Sequence, residues 1–196
     1  SNATGNVTLE NDRSADLTVG GFAASEGAAL TINDSFSTGN VTVNDAPGSG
    51  ATISAGGFIG VILGAGNRSF STGAVSVSSD SAPSVGGFAG AVAGSSNGNF
   101  WDVTSSGQAT SPGATGLTTA QFQNTQAFLA LGQDAGWNFS TVWAPGDTGF
   151  YPAHFSTSAV FFVTPDDLTV QYGQTGSTSA TGSTSGVPTL FAFGPS

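Results

Sequence analysis

Thr4-Gly5-Asn6-Val7 returns as Thr38-Gly39-Asn40-Val41 and, with one change, as Thr72-Gly73-Ala74-Val75; the starts at 4, 38 and 72 lie 34 residues apart. A second phrase, Gly-Gly-Phe, falls at Gly20–Phe22, Gly56–Phe58 and Gly86–Phe88. Self-similarity at such a period belongs to stacked arrays, in which each copy buries its apolar face only against its neighbours. Within a copy the patterning has period two, as in Phe36-Ser37-Thr38 and Val41-Thr42-Val43, which is a strand signal. Stacking sets Phe22 beside Phe58 and Phe88, and Phe36 beside Phe70 and Phe100, on rungs about 4.8 Å apart in the interior. The expected fold is mainly β: a parallel β-helix or β-solenoid of about three to four imperfect repeats, with a short helical C-terminal cap and a few extra strands. A stack of antiparallel hairpins gives the same period. Each glycine pair suits a corner with positive φ or a close approach of backbones. Because 34 residues is long for one coil of short strands, loops such as Asn44–Ser54 are expected to bulge outward.

The last copy departs from the pattern. Phe100 follows Phe70 by 30 residues, whereas Ser106-Gly107 follows Thr72-Gly73 by 34, and this insertion reads as the end of the array. The repeat region is thus 4–116. From 117 to 158 the sequence reads as a cap. Thr118–Phe122 and Thr125–Gly132 form one or two short helices, each opened by a threonine and the second stopped at Gly132. These helices are expected to lie as a lid over the last coil, with Trp137–Trp143 as a strand beside them. Residues 159–196 read as a β tail, with strands at Ala159–Val163, Leu168–Gly173 and Thr189–Phe193 and a Gly/Ser/Thr linker at Gly176–Gly186. Ser1-Asn2-Ala3 resembles the remnant of a cleaved tag, and the chain reads as a piece of a longer protein.

Composition narrows the function classes. Only 7% of the 196 residues are charged, against roughly 25% in ordinary globular proteins, and glycine, serine and threonine take their place. The net charge is −10, with Arg13 and Arg68 the sole cations besides the single histidine, which opposes binding to nucleic acid or anionic membranes. Without cysteine there is no disulfide, thiolate catalysis or Cys-ligated zinc. No apolar run approaches the length needed to span a bilayer, so no membrane insertion is expected of this segment.

Gly-Gly-Phe-x-Gly followed by Asn-x-Ser-Phe-Ser-Thr-Gly-x-Val resembles the GLUG repeat of large bacterial surface proteins. Phe100–Gly107, Gly116–Gln121 and Trp137–Trp143 resemble the segment that closes such arrays, and the likeness covers Thr4–Pro152. Ala23-Ala24-Ser25-Glu26 departs from it by lacking the glycine after Phe-x. Val163–Gly173 resembles the start of a Gly-rich MBG or YDG repeat. The resemblance implies a filamentous-haemagglutinin-type exoprotein, exported by two-partner secretion to the extracellular space or cell surface and acting as an adhesin. It carries no catalytic residues with it.

Little else in the chain looks like chemistry. His154 is the one histidine and reads as a packed or solvent-facing side chain, so no nucleophilic triad is expected. Asp34, Asp45, Asp80 and Asp102 are candidates for the paired carboxylates of polysaccharide cleavage, yet Asp34 meets Arg68 and Gly98 at its repeat counterparts. Asn33-Asp34, Asn44-Asp45 and Asp166-Asp167 offer calcium-type oxygens but lack calcium-loop spacing and read as Asx turns. Ser37-Thr38 and Ser71-Thr72 suggest hydroxyl rows, and Trp101 and Tyr151 suggest rings for stacking on sugars. The expectation is a non-catalytic stalk or adhesive surface with no cofactor or metal. Its partners would be a host-cell or matrix glycan or protein, or other copies of the surface protein. The alternative is a polysaccharide-binding or polysaccharide-cleaving β-helical module.

Overall fold

A computed structural model describes residues 1–156 and, beyond them, the strands Val160–Pro165 and Ala180–Ser185. Three successive circuits each lay down five strands. The first holds β1 (Asn2–Ala3), β2 (Val7–Asn11), β3 (Leu17–Gly20), β4 (Ala23–Ser25) and β5 (Thr31–Asn33). The second holds β6 (Phe36–Ser37), β7 (Val41–Asp45), β8 (Ile53–Gly56), β9 (Ile59–Ile62) and β10 (Ala65–Asn67). The third holds β11 (Phe70–Ser71), β12 (Val75–Ser78), β13 (Ser84–Gly86), β14 (Ala89–Val92) and β15 (Ser95–Asn97). Each strand pairs in parallel with its counterpart one circuit away, so the coils form five parallel sheets. The protein is a β-solenoid, and stacked hairpins are excluded for this region.

Register follows the phrases. Val7, Val41 and Val75 are Cα partners, as are Phe36 and Phe70. Valine and leucine of the second sheet turn inward, where Val41 and Val43 are fully buried beside Ile53 and Ala55. A second interior cluster joins Phe58, Ile59, Ile62 and Phe88. There Phe22, Phe58 and Phe88 stack as expected, with centroids 4.8 Å apart at both steps. The glycine pairs answer to close approach rather than to positive φ: a Cβ on Gly57 would lie 2.2 Å from the Gly87 carbonyl oxygen. Positive φ falls instead at the turn into the first sheet, where Asp34 (49°), Arg68 (49°) and Gly98 (64°) are one residue in three coils.

The other phenylalanine column differs from its sequence reading. Successive residues of a strand face opposite sides. In this row Ser37, Ser71 and Trp101 face the interior, so Phe36, Phe70 and Phe100 face outward. Phe36 and Phe70 stack at 5.1 Å; Phe100 instead meets Phe128 edge-on at 5.8 Å and Trp137 at 5.6 Å.

That outward aromatic stripe determines where the C-terminal segment goes. After β16 (Phe100–Asp102), α1 (Val103–Ser106) and β17 (Thr115–Leu117), the chain forms α2 (Thr119–Phe122) and α3 (Thr125–Asp134). Thr118 and Gln121 close a capping box on α2, and Asn124 caps α3. Gly132 lies inside α3 against the Phe139 ring, and the helix runs on to Asp134, with Gly136 at φ 78° beyond it. Trp137–Trp143 is a turn built on the Asn138 side chain; only β18 (Trp143–Ala144) is a strand, antiparallel to β19 (Ala153–His154). Phe122, Phe128, Trp137 and Trp143 cover Phe70 and Phe100, and Trp143 and His154 reach Phe36.

The helices therefore brace the side of the solenoid instead of closing its end. The end is closed by Trp101, at the row position of Ser71, and by the short circuit 103–114. Gln108 Nε2 donates to the Val75 carbonyl, and the Ser111 hydroxyl accepts from the Phe88 and Ala89 amides. Ser106-Gly107 does not continue the Thr-Gly column; Gly107, at φ 70°, ends α1. In the tail, β20 (Val160–Pro165) pairs antiparallel with β21 (Ala180–Ser185), so part of the expected linker is strand. The expected strands at Leu168–Gly173 and Thr189–Phe193 lie outside the described residues.

Candidate functional surface

Of the proposed hydroxyl rows, Ser37, Ser71 and Thr72 are buried and only Thr38 keeps partial exposure. Ser37 and Ser71 have no exposed surface, and the Ser71 hydroxyl donates to the Gly87 carbonyl across the interior. Thr72 is buried and Thr38 half-buried. Trp101 is 6% exposed, its Nε1 donating to the Gln108 carbonyl, so its ring plugs the coil and offers no face to a sugar. Tyr151 is half-buried against Phe122, and its hydroxyl donates to Asp102 at 2.7 Å. Burial, then the Asp102 hydrogen bond, raises its pKa above the ordinary phenol value.

Two accessible hydroxyl columns run in register on the outer face: Thr8, Thr42 and Ser76 in the second sheet, and Thr18, Ser54 and Ser84 in the third. Alternation was the available signal: with Val7, Val41 and Val75 inside, the next residue faces out. Asn33, Asn67 and Asn97 form a parallel column whose amides bond from rung to rung at 3.0 and 3.3 Å.

The candidate carboxylates are engaged structurally. Asp102, wholly buried, caps α1 through the Thr104 and Ser105 amides and also accepts from the Thr119 and Tyr151 hydroxyls. Asp34 holds the Arg68 guanidinium in a fork, 3.0 Å on each arm, and accepts from Trp143 Nε1 at 3.2 Å. This pair raises the Arg68 pKa. Asp45 accepts from Ser49, Asn11 and Ser79, which together lower its pKa. The Asp80 carboxylate accepts from the Gly48 amide. His154 sits between the Trp143 and Phe36 rings, its Nε2 2.9 Å from the Asp34 carbonyl oxygen. Burial first and the N-terminal ammonium second depress its pKa, against the Asp34 hydrogen bond. Among the described residues no three His, Cys, Asp or Glu side chains are grouped to hold a metal ion.

Gln133, Gly136, Trp137, Asn138, Phe139 and Ser140 line a surface depression of about 550 Å³ at the end of α3. Comparison with family profiles, curated proteins and solved structures finds no match to the chain.

Proposed function

We propose that this chain is a non-catalytic segment of a secreted bacterial surface protein, a stalk or adhesive face of the kind that its GLUG-like phrases suggest. The observation that supports this most is the continuous in-register stacking of five sheets, with interior, outer and turn columns all aligned from coil to coil. Such a scaffold is rigid along its axis and presents extended, nearly uncharged faces of hydroxyls and amides. The employment of Asp102 as a helix cap removes the best-placed candidate for acid chemistry from solvent. A chain without cysteine is also suited to crossing an outer-membrane pore unfolded and then folding coil upon coil. Partners of an adhesive face would be host-cell or matrix glycans or proteins, or other copies of the surface protein.

A glycan and matrix-protein array tests the adhesive role. Saturable binding that is lost in Thr42→Arg supports an adhesive outer sheet, and silence across the array supports a spacer. Release of reducing ends from polysaccharide would overturn the non-catalytic reading. Polysaccharide binding stands as a second reading because Phe139 lines a groove alongside amide and hydroxyl side chains. It predicts glycan binding that disappears in Phe139→Ala and survives Thr42→Arg.

A further inference from the structure

The turn into the first sheet repeats an asparagine and a left-handed successor in every coil. Asn33, Asn67 and Asn97 are Cα partners, and Asp34, Arg68 and Gly98 follow them at φ 49°, 49° and 64°. Because the backbone is shared, each position is a control for the others. Two differences set Asn97 apart. Asp34 and Arg68 carry side chains, locked together in their fork, whereas Gly98 has none. The successor amides also differ. The Asp34 amide donates to the Asn67 carbonyl at 3.1 Å, and the Arg68 amide donates to the Asn97 carbonyl at 3.0 Å. Among the described residues, the Gly98 amide is bonded to no acceptor. Asn97 itself is exposed, and its side chain is held only by the longer step of the asparagine ladder, 3.3 Å to Asn67 Oδ1.

The side-chain carbonyl carbon of asparagine is an electrophile for the amide nitrogen of the next residue. That nitrogen reaches it most readily when the successor is glycine, with no Cβ in the way, and when no hydrogen bond holds the amide.

We propose that Asn97–Gly98 is a site of spontaneous deamidation in the folded chain. The Gly98 nitrogen bonds to Asn97 Cγ, the Cγ–Nδ2 bond breaks, and the proton lost by Gly98 leaves with the ammonia. The product is a cyclic succinimide. Water then adds to one of its two carbonyls and opens the ring, giving aspartate or isoaspartate; no electrons change hands. Ring closure rotates the Asn97–Gly98 peptide and breaks one backbone hydrogen bond, from the Arg68 amide to the Asn97 carbonyl. At Asn67 the same rotation breaks two, since the Asn67 carbonyl also accepts from the Asp34 amide.

Either product exchanges the Asn97 amide donor for a carboxylate, so that acceptor meets acceptor at Asn67 Oδ1. Isoaspartate also routes the main chain through Cβ and adds one backbone atom just before Gly98. The Gly98 carbonyl accepts from Trp137 Nε1 at 2.7 Å, a bond that ties the brace to the third coil. The modification therefore loosens the brace where Trp137 covers Phe100. This chemistry is independent of the adhesive or spacer role proposed above.

The folded full chain, aged in warm, mildly alkaline buffer, tests the proposal. Peptide mapping by mass spectrometry should find a gain of about one mass unit at Asn97, with isoaspartate detected by an isoaspartate-specific carboxyl methyltransferase. Conversion there should run roughly tenfold or more ahead of Asn33 and Asn67, whose successors have bonded amides and side chains. Asn97→Gln changes an exposed side chain and keeps the fold by circular dichroism; it should gain nothing at this position, because the larger ring closes more slowly. Tryptophan fluorescence should shift to the red in the aged parent chain and not in aged Asn97→Gln. Asn97 that stays intact in the folded chain while converting in urea overturns the proposal, since the fold then protects the site. Equal conversion at Asn67 and Asn97 overturns it as well.

Discussion

Phe70→Ala separates the outward aromatic stripe from the interior ladder as a source of stability. Phe70 has no exposed surface and touches aromatic neighbours on several sides: Phe36 stacked at 5.1 Å, Phe122 at 5.6 Å, Trp143 at 5.8 Å and Trp137 at 6.2 Å. Removing the ring forfeits its burial and leaves a void that the helices and the β sheet, each fixed by its own hydrogen bonds, cannot fill. Such a change costs about 3–5 kcal/mol. At about 2–4 °C per kcal/mol for a chain of this size, the melting midpoint should fall by roughly 6–20 °C. Phe36 stacks on the same ring but is only half-buried, so Phe36→Ala should cost roughly half as much. Urea and thermal unfolding, followed by tryptophan fluorescence and near-ultraviolet dichroism, measure both; Trp137 and Trp143 lie in the brace and report on it directly. A near-neutral Phe70→Ala, or a Phe36→Ala that costs more, would refute the claim that the brace is held by this stripe.

Asp102→Ala removes a helix cap and strands the Thr119 and Tyr151 hydroxyls, a loss of about 2–4 kcal/mol in chemical denaturation. Asp102→Asn keeps an acceptor for the amides and should cost less. Gly57→Ala drives a methyl group into the Gly87 carbonyl between coils and should abolish the cooperative β-sheet signal by circular dichroism. His154 makes the brace acid-sensitive. Its folded pKa lies below the ordinary value of about 6.5, so the unfolded chain binds the proton more readily; the contribution is complete above that pH and is lost as pH falls toward the depressed value. Melting midpoints taken from about pH 7.5 down to 5 should decline in the parent chain and flatten in His154→Gln. Among the described residues, Asp34, its partner Arg68 and the N-terminal amine are charged groups near it. Asp45, held below the usual carboxylate range, adds stability that is lost only in stronger acid.

The 34-residue phrases and period-two runs were enough to place Val41, Phe58 and Phe70 in a β stack in register with their copies, because repetition itself states which residues are neighbours. Parallel pairing of each strand with its copy one circuit away distinguishes the solenoid from stacked hairpins, and both satisfy one period. Facing within the two-residue strands was also hidden. In Phe36-Ser37 alternation says that the residues face opposite ways, but it cannot say which way is inside. Bulk alone assigns the phenylalanine to the interior and the hydroxyls of Ser37, Thr38, Ser71 and Thr72 to an accessible row. The interior at that row is filled by Ser37 and Ser71 set against the glycine backbones of the facing wall, and the bulkier Trp101 takes the place only where the array ends.

By itself the sequence determined the period, the β character, the rung partners and the position where the array ends, all of which are local or repeated properties of the chain. Tertiary structure alone decided that Trp101 and circuit 103–114 close the end, that the helices brace the side, and that Asp102 and His154 serve packing. Those outcomes depend on contacts between segments far apart in the chain. The deciding quantity is how much apolar surface an outward column of rings leaves for a distant segment to cover, and no local pattern encodes it.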